Sequence, residues 1–276
     1  MKNGRFSYVI LILMLIIGLS LLLYPSFANY WNSFTQSRAI ANYAEQLAHL
    51  DGEEYDHLWE DAIAYNESLL GRRNDYLLDE EQQAKYNQLL DVTGNGIMGY
   101  IEIPNINVSL PIYHGTSESV LQVAIGHIEW TSLPTGGENT HTVVSGHRGL
   151  PSARLFTDLD QLVIGDYFVL NVLDKMFTYE VDQILIVEPD ETKDLLIENG
   201  KDLCTLVTCT PYGVNSHRLL IRGHRVENLE ESVVVRVTAD AMVIEKMVVV
   251  PFVLIPILLV MLIMLQVNIS MKKRKK

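Results

Sequence analysis

At 276 residues, with 48% hydrophobic and 20% charged residues, the chain has room for one mid-sized domain plus accessory segments and is ordinary globular in its usage. Setting aside the seven basic residues of the two tails leaves 14 Lys+Arg against 34 Asp+Glu, a formal charge of −20 on the portion between them. Such a surface repels nucleic acid and anionic lipid headgroups, which excludes both as ligands of that face, and it attracts a protein partner carrying a basic segment.

Phe6 to Tyr24 is an apolar run broken only by Ser7, Gly18 and Ser20, with Lys2 and Arg5 ahead of it. A membrane-crossing helix needs roughly 20 apolar residues, whereas the apolar part of a cleaved leader runs to about 7 to 15, so residues 1–27 read as a retained anchor. From 28 to 92 the chain is polar and helix-prone. Ser37 to Leu50 sets Ile40, Tyr43, Ala44, Leu47 and Leu50 on one face at helical spacing, and Asp56 to Leu70 repeats the pattern with Leu58, Trp59, Ala62, Ile63 and Leu69. Neither segment is apolar enough to stand alone, which predicts two helices packed on a larger body.

Residues 93–228 change character, with short β-prone runs separated by Gly, Pro, Asn and Asp. The pattern predicts strands near Ile97 to Glu102, Leu110 to Tyr113, Thr142 to Ser145, Tyr167 to Leu173, Met176 to Ile186, Asp202 to Cys209 and His217 to Arg225. Helical turns are expected near Ser117 to Ala124 and Lys193 to Ile197. Closely spaced strands with few helices between them point to a sandwich or closed barrel of about 130 residues. Residues 229–246 read as a linker. Met247 to Val267 forms a second apolar run, interrupted by two prolines and Gln266, and ends in Lys272-Lys273-Arg274-Lys275-Lys276. We take 247–269 as a second transmembrane helix and 270–276 as a basic cytoplasmic tail. With both basic ends inside, the residues between the two spans stand on the extracytoplasmic side of the plasma membrane.

Cys204 and Cys209 share one apolar strand, KDLCTLVTC. Five strand residues cover about 16 Å, against the roughly 4.4 to 6.8 Å between bridged Cα atoms, so the two cannot pair with each other. A free thiol in an exported domain needs a reason. Cys209 ends the strand and opens into Thr210-Pro211-Tyr212-Gly213, positioned and exposed enough to react, while Cys204 points to the opposite face. Nine residues on, Arg218 opens the next strand, and a hairpin through 210–216 sets it beside Cys209, where a guanidinium can stabilise a thiolate and a developing oxyanion. The imidazole partner is open on local grounds, because His49, His57, His114, His127, His141, His147, His217 and His224 all compete. His147 follows THTVVSG at a strand end flanked by glycines, and His127 lies in a similar Gly-His pair. No C-x-x-C or H-x-x-x-H pair occurs and possible ligands are scattered singly, which argues against zinc. Asp91 to Gly96 faintly resembles a calcium loop but lacks the later ligands. We expect no metal and no cofactor.

The segments MGYIEIPNINVSLPIYHGT, GHIEW, SLPTGGENTHTVVSGHRGLPSARLFTDLDQL and TLVTCTPYGVNSHRLLIRGHR closely resemble the sortase family, specifically its class C, pilus-assembling members. The resemblance implies Cys209, His147 and Arg218 as the catalytic set. It also implies a mostly β fold: a closed eight-stranded barrel with N-terminal helices and a transmembrane helix at each end. The implied reaction is cleavage of a pilin sorting signal resembling Leu-Pro-x-Thr-Gly between Thr and Gly, with transfer of the acyl group to a lysine of another pilin. Class C members commonly carry an Asp-Pro-aromatic lid, and this chain has no such triplet. Its nearest counterpart is Asn74-Asp75-Tyr76, within 71–78, which makes any lid vestigial. Two other readings remain at this point: a membrane-bound cysteine protease that gives the acyl group to water, and a non-catalytic surface-binding module with a structural Cys209.

Overall fold

The computed structural model describes residues 3–71 and 78–228, so the Asn74-Asp75-Tyr76 segment, the linker and the expected second span lie outside the described residues. The chain divides into two units, Met1–Tyr30 with Arg236–Lys276, and Trp31–Val235. Helix α1, Asn3–Leu47, is the one helix among the described residues long and apolar enough to cross a membrane. An anchor and a separate helix were expected here. Instead the helix continues through Pro25 and the polar stretch after it, where nothing in the sequence breaks it.

In the Trp31–Val235 unit, α2 (Gly52–Leu69) starts at Asp51, whose side chain accepts a hydrogen bond from the Glu54 amide. The buried face of α2 is Ala62, Tyr65, Asn66 and Leu69, whereas Ile63, expected inside, is 39% exposed. A polar residue takes the inward position because it has work there: Asn66 donates to the Leu133 carbonyl (3.1 Å) and accepts from the Leu133 amide (2.7 Å). Tyr43 of α1 is likewise buried, and its hydroxyl links the Met98 carbonyl to the Leu173 amide. A third helix, α3 (Glu80–Tyr86), was not anticipated. Its start is a capping box formed by Asp79 and Gln82.

Eight strands follow: β1 (Ile97–Ile103), β2 (Val108–His114), β3 (Ile125–His127), β4 (Thr140–Ser145), β5 (Tyr167–Val172), β6 (Lys175–Val187), β7 (Asp202–Thr210) and β8 (His217–Arg225). They close into a barrel in the order β1-β2-β3-β4-β7-β8-β6-β5. Pairing is antiparallel except between β2 and β3 and between β4 and β7. The short helix α4 (Glu118–Leu121) lies in the connection from β2 to β3. At Gly126 of β3 an added Cβ would sit 2.0 Å from the Gly115 carbonyl oxygen, so only glycine lets these two backbones meet.

Alternation along the strands sorts side chains into two apolar layers. Cys204, Leu206, Ile221, Phe168 and Tyr179 point into the barrel. Val143, Val207, Leu220 and Val187 point outward and are covered by Leu195, Ile128 and Trp130. The catalytic candidates stand on this second face.

Candidate active site

The register between β7 and β8 places Cys209 directly opposite Arg218, one pair beyond Thr208 and Leu219. Directly opposed residues of an antiparallel pair share a face, with Cβ atoms about 4.5 to 5.5 Å apart. Their face is set by their neighbours. Thr208 is 1% exposed and turned inward, while Val207 and Leu220, also opposite each other, belong to the outer layer. Cys209 is half-buried at the end of that layer.

His147 arrives from the other side of β7. Ser145, the last residue of β4, is level with Val207 in the parallel register, so the chain two residues further on is abreast of Cys209. Two hydrogen bonds hold it there: the Gly146 amide donates to the Val207 carbonyl (3.0 Å), and the Thr208 hydroxyl donates to the Gly146 carbonyl (2.7 Å). A Cβ on Gly146 would lie 2.8 Å from Ile125 and Phe156, so glycine is what lets the loop turn against β7. The three expected residues are thus brought to one end of three adjacent strands. The guanidinium of Arg218 rests on the carbonyls of Asn215 (3.4 Å) and His217 (3.2 Å). Neither is an anion, and its remaining N–H groups are available to an oxygen that gains charge.

Burial separates the competing residues. The thiol of Cys204 is fully buried, and loss of solvation pushes its pKa well above the ordinary value, as suits a core residue. His127, the local rival of His147, is fully buried with both nitrogens engaged. The Tyr86 hydroxyl donates to Nδ1 (2.8 Å) and Nε2–H donates to the Ser132 carbonyl (2.8 Å). Burial pushes its pKa down to about 3, so it is a neutral structural imidazole near pH 7. His141 is held similarly, with Nδ1 on the Leu196 carbonyl and Nε2 on the Thr205 hydroxyl. His114 sits between the carbonyls of Gly96 and Leu89, tying β2 to the chain ahead of β1.

Sequence reasoning passed over Arg148, although it directly follows His147. Its side chain is 9% exposed and pairs with Asp160. It also donates to the Thr210 hydroxyl (3.4 Å) and lies 5.9 Å over the Tyr212 ring. Arg148 therefore joins the His147 loop to the residue after Cys209. A cavity of about 400 Å³ opens beside it, walled by Asp160, Thr210, Tyr212, Ile184 and Ile186.

Comparison with known proteins gives the family of the chain. A family model described as the sortase domain matches residues 101–226. The crystal structure of sortase C1 from Streptococcus agalactiae is 51% identical, with a TM-score of 0.68, over 70% of this chain and 100% of that one. This chain belongs to the sortase family. Sortase C of Streptococcus pneumoniae, whose structure is described as bearing on pilin substrate specificity, is 45% identical, with a TM-score of 0.63, over 69% of this chain and 97% of that one. These similarities place the chain with the class C sortases. Among curated relatives, Sortase D of Bacillus subtilis (strain 168) is 35% identical over 131 residues, 46% of this chain and 63% of that relative, so the match spans just under two thirds of its length. The sortases are cysteine transpeptidases.

Proposed function

We propose that this chain is a membrane-anchored pilin transpeptidase. Cys209 is the nucleophile, His147 the proton carrier and Arg218 the oxyanion-stabilising cation. What supports the reading is one observation: Cys209 and Arg218 are register partners on neighbouring strands, and the strand on the other side delivers His147 to the same end.

The steps follow from those roles. The Cys209 thiolate attacks the carbonyl carbon of the threonine in a sorting signal resembling Leu-Pro-x-Thr-Gly, and the Arg218 N–H groups bind the oxygen that becomes negative. Collapse breaks the C–N bond to glycine, the His147 imidazolium gives its proton to the departing amine, and a thioester remains on Cys209. A lysine amine of a second pilin loses its proton to the neutral imidazole, attacks the thioester and forms an amide, releasing the thiolate. No water, metal or redox partner enters the balance. The apolar part of α1 supplies one anchor, and the run at 247–269 supplies the second, with the barrel on the extracytoplasmic side.

The test uses the full chain in detergent, a sorting-motif peptide and a lysine-bearing acceptor. An amide product that appears only with acceptor supports the proposal. Free acid as the sole product at every acceptor concentration makes the chain a protease instead. Transfer that survives Cys209→Ala removes the assignment altogether.

A further inference from the structure

One nitrogen of His147 is unaccounted for. The side chain as a whole is 29% exposed, yet Nε2 is shut off from solvent and has no hydrogen-bond partner. An imidazole nitrogen sealed from water without a partner is poorly stabilised, because it has lost hydration and gained nothing in exchange. Oε2 of Glu118 lies 4.0 Å from it, about one ångström beyond hydrogen-bond reach.

Glu118 is well placed to close that gap. It is the first residue of α4, in the connection that leads into β3, and β3 pairs with β4, from which His147 emerges. Its other carboxylate oxygen is held by the side-chain amide of Gln122. The turn after α4 is tied to α1, where the Gln36 side chain donates to the Val123 carbonyl (2.6 Å). At 75% exposure the carboxylate keeps one oxygen on Gln122 and leaves Oε2, the oxygen nearer His147, without a donor of its own among the described residues. At the strand end where His147 emerges, the other ionisable groups are Cys209 on β7, Arg218 and His217 on β8, and Arg148 on its own loop; Arg148 pairs with Asp160 and His217 faces Glu188.

We infer that Glu118 is a positioning residue for the base: its carboxylate accepts the hydrogen bond of Nε2–H of His147. That bond fixes which nitrogen carries the resting proton and how the ring is turned, and it leaves Nδ1 to receive the proton of the Cys209 thiol. Once Nδ1 is protonated, the imidazolium has a thiolate on one side and a carboxylate on the other. Glu118 neither gains a proton nor touches substrate. The inference rests on the transpeptidase reading and on His147 as its base.

The test uses the full chain in detergent and the substitution Glu118→Gln, which keeps size and removes charge. Two quantities are read: kcat and KM for cleavage of a sorting-motif peptide, and the rate of alkylation of Cys209 by iodoacetamide between about pH 5.5 and 10. E118Q is expected to lower kcat about 5- to 10-fold, with KM and Tm unchanged. Alkylation near pH 7 falls by a similar factor and converges on wild type above about pH 9, where a thiol ionises without help. A kcat and an alkylation profile equal to wild type overturn the inference. So does a loss of the same factor at every pH, which means altered access rather than altered proton transfer. If His147→Ala leaves the wild-type alkylation profile untouched, His147 is not the base, and the inference falls with that assignment rather than on E118Q.

Discussion

Acid should weaken this fold through His127. The ring is fully buried between Tyr86 and Ser132 and its pKa is pushed down to about 3 by loss of solvation, while in the unfolded chain it returns to 6.5. Above 6.5 both states are neutral and the ring gives no pH dependence. Below it the unfolded chain binds a proton that the native ring refuses, so stability falls with pH across the window from 6.5 to about 3. At pH 5 the deficit from this one residue is about 2 kcal/mol, since each unit in the window is worth about 1.4 kcal/mol. For a folded unit of about 200 residues that lowers Tm by about 4 to 8 °C. His141, pushed in the same direction by its burial, adds to the loss. The assay is thermal unfolding of the full chain, followed by tryptophan fluorescence at pH 7.5 and 5.0, for wild type and His127→Gln. Gln can still donate to the Ser132 carbonyl but does not titrate. Wild type should lose more on acidification than the variant, by about 2 kcal/mol. Equal losses in the two proteins refute the account of His127.

Tyr86→Phe removes the hydroxyl that donates to His127 Nδ1 and accepts from the Gly115 amide (3.1 Å). The buried His127 ring and the half-buried Gly115 amide lose their partner, and urea titration should show a destabilisation of about 2 to 3 kcal/mol. Gly146→Ala sets a methyl 2.8 Å from Ile125 and Phe156 and pushes the His147 loop off β7. Peptide cleavage is expected to drop about 10- to 100-fold, a loss well beyond the modest fall in Tm. Arg148→Ala unties the same loop from Thr210 and Asp160. It should cost about tenfold in kcat/KM and about 1 to 2 kcal/mol in stability, and an unchanged kcat/KM would show that the loop holds its place without it.

Much of the fold was legible because its strands are β-prone runs bounded by Gly, Pro, Asn and Asp. β7 was read to within one residue and β8 at its full length from their β-prone composition, and the odd separation of Cys204 from Cys209 correctly set them on opposite faces. β3 was not legible: three residues, Ile125–His127, are too few for any period, and what makes them a strand is pairing with β2 and β4. α3 carried a signal that was there to read, the Asp79 and Gln82 capping box, although its seven residues show little apolar periodicity. Ile63 misled because spacing cannot see that Asn66 has a distant backbone partner at Leu133.

The same limit applied to the site. Local sequence left His127 and His147 equivalent. Only the fold shows Tyr86 and Ser132 closing around the first while the second stands at the mouth of β7. Glu118 opens the one-turn helix α4 and Arg148 sits in a loop; the role of each depends on which strand ends it meets, and no periodic pattern marks either one.

The central claim is that the sulfur of residue 209 takes the acyl group with His147 as its proton partner. Mass spectrometry of the intact chain, quenched in acid during turnover of a sorting-motif peptide, examines that bond itself. The account predicts one acyl adduct on the fragment carrying Cys209, absent in Cys209→Ala and strongly reduced in His147→Ala. An adduct on Cys204, or transfer with no adduct on either cysteine when the quench is fast, would contradict it.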